Sequence, residues 1–422
     1  MRDFQNRFLT PTVVTGCALM IVAFITFQPV VNFLVHEQVD YANHLSYLQV
    51  DMDAEAVDQV LSMFPHFMYH LSVYTVYKVF SLDSIASAAL AVSVFAYLFG
   101  TGVSYWLVIR MLGNPRSWRR AVFYGFISLT LMLLMPIDIV TPDNLLLGYI
   151  GMSVYHNPTI VLLKPFAVVL FWCAGTVFQK TGSLAGTPNR PIALWINILA
   201  TLCCVMAKSS YVIALLPALV VMAGYRLARK QWVDWKNLSY GILLPACLGL
   251  GLQLVLFQNS QGFMFAPLVV ISSWARINPG APIGIVEKFL LSIAFPFLVY
   301  VTSFRAAIKD TFLNFAWITF AFGAAYMYLL AERGDRLSHA NFMWSAICTL
   351  FILFVVSAIF LIRRIQDAYA ARPANYRPVL EPMNIRIVVL GLVFVLHLIS
   401  GVYWYYIHLT ARTMGDIIST KW

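Results

Sequence analysis

The chain has 422 residues, of which 61% are hydrophobic and only 11% charged, and a formal net charge of +10 at pH 7. That composition excludes an ordinary soluble domain. Apolar runs of about 20 residues recur along the whole length and predict an all-α, polytopic transmembrane helical bundle.

Eleven spans are predicted, over roughly 11–35, 84–111, 119–137, 157–178, 191–206, 209–228, 237–257, 285–304, 310–331, 340–363 and 384–409. The connections leave no room for a separate soluble domain, so residues 1–422 read as one transmembrane domain. The first run follows Arg2 and Arg7, is too long for a signal-peptide core and lacks a small-residue cleavage site. It reads as a retained signal anchor. All six cysteines (Cys17, Cys173, Cys203, Cys204, Cys247 and Cys348) fall inside apolar runs, which argues against a disulfide framework or a zinc knuckle.

With the N-terminus in the cytoplasm, the basic clusters Arg110 to Arg120, Arg226 to Lys236, Arg305 with Lys309, and Arg363 to Arg386 all fall inside. This is the pattern of the positive-inside rule. The basic excess is therefore an orientation signal, and no nucleic-acid partner is expected. The alternation requires that 65–80 does not cross the bilayer. Residues 36–80 thus form a first extracytoplasmic loop whose helices lie on, or dip into, the outer face.

That loop concentrates the ionisable residues. It holds six acids, Glu37, Asp40, Asp51, Asp53, Glu55 and Asp58, with no Lys or Arg before Lys78. Asp40/His44 and His66/His70 are each four residues apart, so on helices each pair shares a face. A carboxylate at the membrane interface suits a general base acting on a hydroxyl, or a ligand for Mg or Mn. An ordinary solvated acid is the bland alternative. His36-Glu37-x-x-Asp40 lacks the second histidine of the zinc-protease signature, so no metal site is assigned.

Further along, Asp138-Ile-Val-Thr-Pro-Asp143 and Tyr155-His156-Asn157-Pro158-Thr159 frame a loop that enters a span carrying Lys164-Pro165. A lysine inside a span must find an anion, a carbonyl or a water path. Either a lipid-linked phosphate or one of the two aspartates would serve. Lys208-Ser209-Ser210 repeats the logic at a helix junction, where N-terminal amides help hold a phosphate. Glu332-Arg333-Gly334-Asp335-Arg336, followed by His339, Asn341 and Trp344, is either a self-paired turn or a grip for a pyrophosphate or sugar. Glycine-rich phosphate loops and nucleophile elbows are absent from the sequence, which disfavours soluble nucleotide-driven chemistry.

These residues together resemble a family. An acidic first outer loop with an aspartate close to span one, on a multi-span body, is similar to the GT-C superfamily of integral membrane glycosyltransferases. Asp40-Tyr41-x-x-His44, Pro65-His66-x-x-Tyr69-His70, His156-Asn157-Pro158-Thr159 and Glu332-Arg333-Gly334-x-Arg336-x-x-His339-x-Asn341-Phe342-x-Trp344 are similar to a bacterial family of multi-pass membrane proteins. The resemblance implies a sugar donor linked to polyprenyl phosphate and a glycan or lipid-linked acceptor, at the extracytoplasmic face of a bacterial inner membrane. It implies catalysis by Asp40 with His44 and a donor phosphate held by Lys164, Lys208, Arg333 and Arg336. The acceptor or sugar would meet His66, His70, Asp138, Asp143, His156, Asn157, Glu332, His339, Asn341 and Trp344. The alternatives are a polysaccharide polymerase or ligase, which shares the carrier chemistry, and a lipid-linked saccharide transporter.

Overall fold

The computed structural model describes residues 10–37, 39–48, 57, 60–62, 66–138, 148–180, 193–256, 262–271, 284–370 and 382–410. Asp143 and the side chain of His339, both expected at the site, lie outside the described residues. Among the described residues, nine helices are long and apolar enough to cross a membrane, and the protein is a predominantly helical polytopic bundle.

In chain order, α1 (Pro11–Glu37), α2 (Val39–Ser46), α3 (Met68–Val79), α4 (Ile85–Leu112), α5 (Trp118–Leu131), α6 (Pro158–Thr176), α7 (Leu194–Ala207) and α8 (Ser210–Ala228) form the first part. A π-helical stretch, Asn237–Leu243, leads into α9 (Leu244–Leu256), followed by α10 (Ile285–Thr302), α11 (Thr311–Leu329), α12 (Met343–Ala370) and α13 (Pro382–Thr410). Side chains start several of these helices by taking an otherwise orphan N–H. Ser84 caps α4, Ser117 caps α5, Asn157 caps α6 and Asp310 caps α11.

The bundle is built round α12. Every residue from Met343 to Phe360 is buried, the all-round apolar pattern of a helix with no lipid-facing side. It packs on α4, α5, α6, α8, α10 and α11. Its closest neighbour is α11, where a Cβ on Gly323 would collide with Thr349 and lie 2.9 Å from the Ser345 carbonyl oxygen. The two backbones approach because that side chain is missing.

Each of the eleven predicted segments contains a helix, but two are short. α5 and α7 have 14 residues each, about 21 Å at the rise of an α-helix. The predicted helix over 119–137 stops at Leu131 because Pro136 cannot continue it and biases its predecessor toward extended backbone. Residues 134–138 have no regular secondary structure, and Leu134, Met135, Ile137 and Asp138 are buried. Such backbone survives at depth only where protein satisfies it. Here Met135 N–H donates to the His397 carbonyl (3.2 Å), Ile137 N–H to the Leu291 carbonyl (3.3 Å) and Asp138 N–H to Ser400 Oγ (3.1 Å).

One feature departs from the all-helical expectation. β1 (Phe263–Phe265) pairs antiparallel with β2 (Leu330–Glu332), in the register Phe263↔Glu332, Met264↔Ala331 and Phe265↔Leu330. This small sheet ties the segment after α9 to the end of α11, beside the turn that leads into α12.

Candidate functional site

Segments far apart in sequence meet at one end of the bundle: α2, α3, the start of α6, the α7–α8 junction and the turn before α12. Lys208 sits among them. Its extended backbone ends α7, and its side chain is only 7% exposed. The ammonium donates to Thr159 Oγ1 at 3.0 Å and lies 4.9 Å from the centre of the Trp344 ring. Thr159 in turn donates to Asn157 Oδ1 (2.7 Å), which also accepts from Ile160 N–H (3.1 Å) and so caps α6. The Asn157-Pro158-Thr159 motif is thus a helix start whose threonine holds a lysine.

An ammonium at the positive end of a helix is poorly placed unless an anion is near. Burial lowers the Lys208 pKa to about 8, while the carboxylates of Asp40 and Glu332 pull it back up. Only one of its three N–H donors has an acceptor among the described residues.

The histidines surround this lysine. On α2 and α3, His44 Nδ1 and His70 Nε2 are 3.0 Å apart, one donating and the other accepting, so at least one of them is neutral there. Burial pushes His44 down to about 2, helped by His70 and Lys208, and burial pushes His70 down to about 4. His66 is held well below the imidazole range by burial, then by Lys208, His44, His70 and Arg336. His156 packs edge-on to Trp344, with centroids 6.2 Å apart. Burial lowers its pKa, Asp40 raises it and Lys208 lowers it. Asp40 itself is half-buried, so its carboxylate acts on both Lys208 and His156.

Beside His44 and His70 lie two tyrosines of the same motifs, Tyr41 and Tyr69. Tyr41 and Tyr69 meet edge-to-face at 6.5 Å, and His44 meets Tyr69 at 6.0 Å. Tyr69 Oη lies 3.4 Å from Ser93 Oγ on α4. Their signal in the sequence is the spacing Tyr41/His44 and Tyr69/His70, which puts a ring beside each imidazole.

The charged turn is partly self-paired. Asn341 Nδ2 donates to Glu332 Oε2 at 2.6 Å, and Arg336 Nη1 lies 4.0 Å from Glu332 Oε1. Arg336 and Glu332 both act on the histidine–lysine group. Arg333 does not join it: its side chain is exposed, and its N–H donates to the Gly262 carbonyl beyond the end of the β-pair.

Two other expected residues lie apart from the group. The Lys164 ammonium donates to the Met152 carbonyl at 2.5 Å and sits 5.1 Å over Phe351. Phe351 is two helical turns from Trp344 along α12, so Lys164 lies about 10 Å deeper than Lys208. Of the partners expected for it, the carbonyl is the one it takes. Asp138 belongs to a different cluster with Tyr149, Lys288 and Ser400. Its N–H meets Ser400, and Lys288 lies 5.4 Å over the Tyr149 ring.

Among the described residues, no three His, Cys, Asp or Glu side chains come together in a way that would hold a metal ion. The positive charge facing Asp40 is the Lys208 ammonium. The arrangement therefore offers a carboxylate base, a buried cation at a helix start, a tryptophan face and neutral imidazoles. No family model matches the chain, and no curated protein shows significant similarity to it.

Proposed function

We propose that the protein is a GT-C-type membrane glycosyltransferase of the bacterial inner membrane, with this end of the bundle facing the extracytoplasmic side. It would transfer a sugar from a polyprenyl-phosphate carrier to a glycan or lipid-linked acceptor. The observation that carries the reading is the meeting of Asp40, Lys208 and Trp344 with four histidines. These are the functions such a transfer needs: a base, a cation for the leaving phosphate and a flat apolar surface for a sugar ring.

In the proposed reaction, Asp40 takes the proton of the acceptor hydroxyl as its oxygen bonds to the anomeric carbon. The bond from that carbon to the phosphate oxygen breaks, and its electron pair stays on the carrier phosphate. Lys208 stabilises that growing charge in a site with little water. Arg336 adds charge from the turn. The His44–His70 pair, held neutral, shapes the acceptor side and holds the segment bearing Asp40 in place. Lys164 supports the fold of the segment before α6 rather than touching the phosphate.

Incubating the purified protein with radiolabelled polyprenyl-phosphate sugars tests this directly. Wild type is expected to transfer label to acceptor, and Asp40→Asn to abolish transfer while the protein stays folded. Unchanged transfer by Asp40→Asn would reject it as the base. Movement of labelled carrier across liposomes without any transfer would favour the transporter. Activity is expected to survive EDTA, because Lys208 supplies the positive charge beside Asp40. Loss on EDTA treatment, restored by Mg2+ or Mn2+, would instead put a divalent ion at that carboxylate.

A further inference from the structure

The opposite end of the bundle carries a second grouping. Trp344 and Arg364 lie on the same helix, 20 residues apart, which is about 30 Å along α12. Around Arg364 a groove of about 490 Å³ opens between the end of α10, the last third of α12 and the start of α13. Three arginines from three different elements line it, Arg305, Arg364 and Arg386, and its apolar wall includes Leu361, Ile365 and Leu390.

We propose that this groove binds the headgroup of an anionic phospholipid, with the phosphate among the arginines and an acyl chain along the apolar wall. Three features support a lipid. First, among the described residues the charge there has no ion-pair partner. The neighbouring Arg363 is spent on Asp310, at 3.1 Å, whereas Arg305, Arg364 and Arg386 are exposed. The described acid nearest in sequence, Asp367, is exposed one turn beyond Arg364. Second, the volume falls within the usual range for small-molecule sites, roughly 300–1,000 Å³. Third, the groove adjoins a greasy flank: on α13, Val388 is 60% and Leu392 59% exposed. A soluble phosphate needs no such wall, whereas a lipid places its chain there. Basic pockets between membrane helices hold anionic headgroups by this combination of guanidinium hydrogen bonds and buried chain.

Native mass spectrometry of the full chain in detergent tests it, using phosphatidylglycerol, phosphatidylcholine and inorganic phosphate as probes. Wild type is expected to retain phosphatidylglycerol in preference to phosphatidylcholine. The triple variant Arg305→Gln, Arg364→Gln, Arg386→Gln should weaken retention about 100-fold, the loss implied for three cationic contacts near a lipid surface. Ile365→Trp, at a half-buried wall position, narrows the groove and leaves the arginines; it should also lose the lipid and covers the case of a poorly folded triple variant. Millimolar inorganic phosphate should not displace the lipid. Equal retention of the two lipids, wild-type retention by both variants, or displacement by phosphate alone would overturn the proposal.

Discussion

Lys208 is a costly residue: a buried ammonium set against the start of α6, with Thr159 as its one described hydrogen-bond acceptor. Its pKa of about 8, lowered by burial, gives a clear pH signature. The side chain is charged at pH 7 and loses its proton as pH rises through 8. Donor affinity is therefore expected to fall about tenfold per pH unit above 8, a simple one-proton titration. Lys208→Arg, which stays charged, should flatten that dependence up to pH 9. A donor KM that does not change in wild type between pH 7 and 9 would count against the lysine. The imidazoles give the opposite sign. His70 sits at about 4 in the fold, against 6.5 ordinarily, so the unfolded chain binds more protons below pH 6.5. Its contribution to stability is complete above that pH and is lost as pH falls toward 4. The thermal midpoint should drop across this window, and by less in His70→Asn. Sequence alone picked out Lys208, Trp344 and the histidines because polar residues are scarce in so apolar a chain. It placed Thr159, Tyr41 and Tyr69 in motifs but not the contacts they make, which depend on which helix each one faces.

The helical elements were legible because a bilayer leaves the backbone little choice but the helix. What hydropathy does not read is the backbone inside an apolar run. The Met135-Pro136 step ends α5 early, and the buried irregular segment around it is held by α10 and α13. At Gly401 a Cβ would run into the Leu133 carbonyl, so this segment and α13 fit only because that side chain is absent. The same principle governs α11 and α12. Gly323→Val is expected to destabilise the bundle by about 1–3 kcal/mol, the usual cost of overpacking, read as a lower thermal midpoint in detergent. An unchanged midpoint would mean the two helices do not rest on this contact. The charged turn shows the limit from the other side. Glu332-Arg333-Gly334-Asp335-Arg336 reads as one motif, yet Arg336 acts on the histidines whereas the Arg333 side chain is exposed.

At the scale of the molecule, α12 links two chemically different ends, a histidine–lysine cup near Trp344 and an arginine groove near Arg364. In the proposed orientation, which follows the positive-inside rule, the groove lies inside and the cup outside. Membrane-impermeant thiol reagents should therefore label Ser46→Cys from the outer face and Arg364→Cys only from the inner one. Labelling of both from one face would overturn that orientation. The apolar segments and the crowding of unusual polar residues at one face were both readable from sequence. The depth of Lys164 and the separate company of Asp138 were not, because they depend on the irregular chain between α5 and α6. The most direct test of the central claim, that the cup grips a carrier phosphate beside Asp40, compares Lys208→Met with Arg333→Gln in the sugar-transfer assay. Transfer is expected to fall roughly 100-fold or more in Lys208→Met, as when a charge-stabilising donor is removed from an active site, and to stay near wild type in Arg333→Gln. Equal activity of the two variants, or a greater loss from Arg333→Gln, would contradict the account.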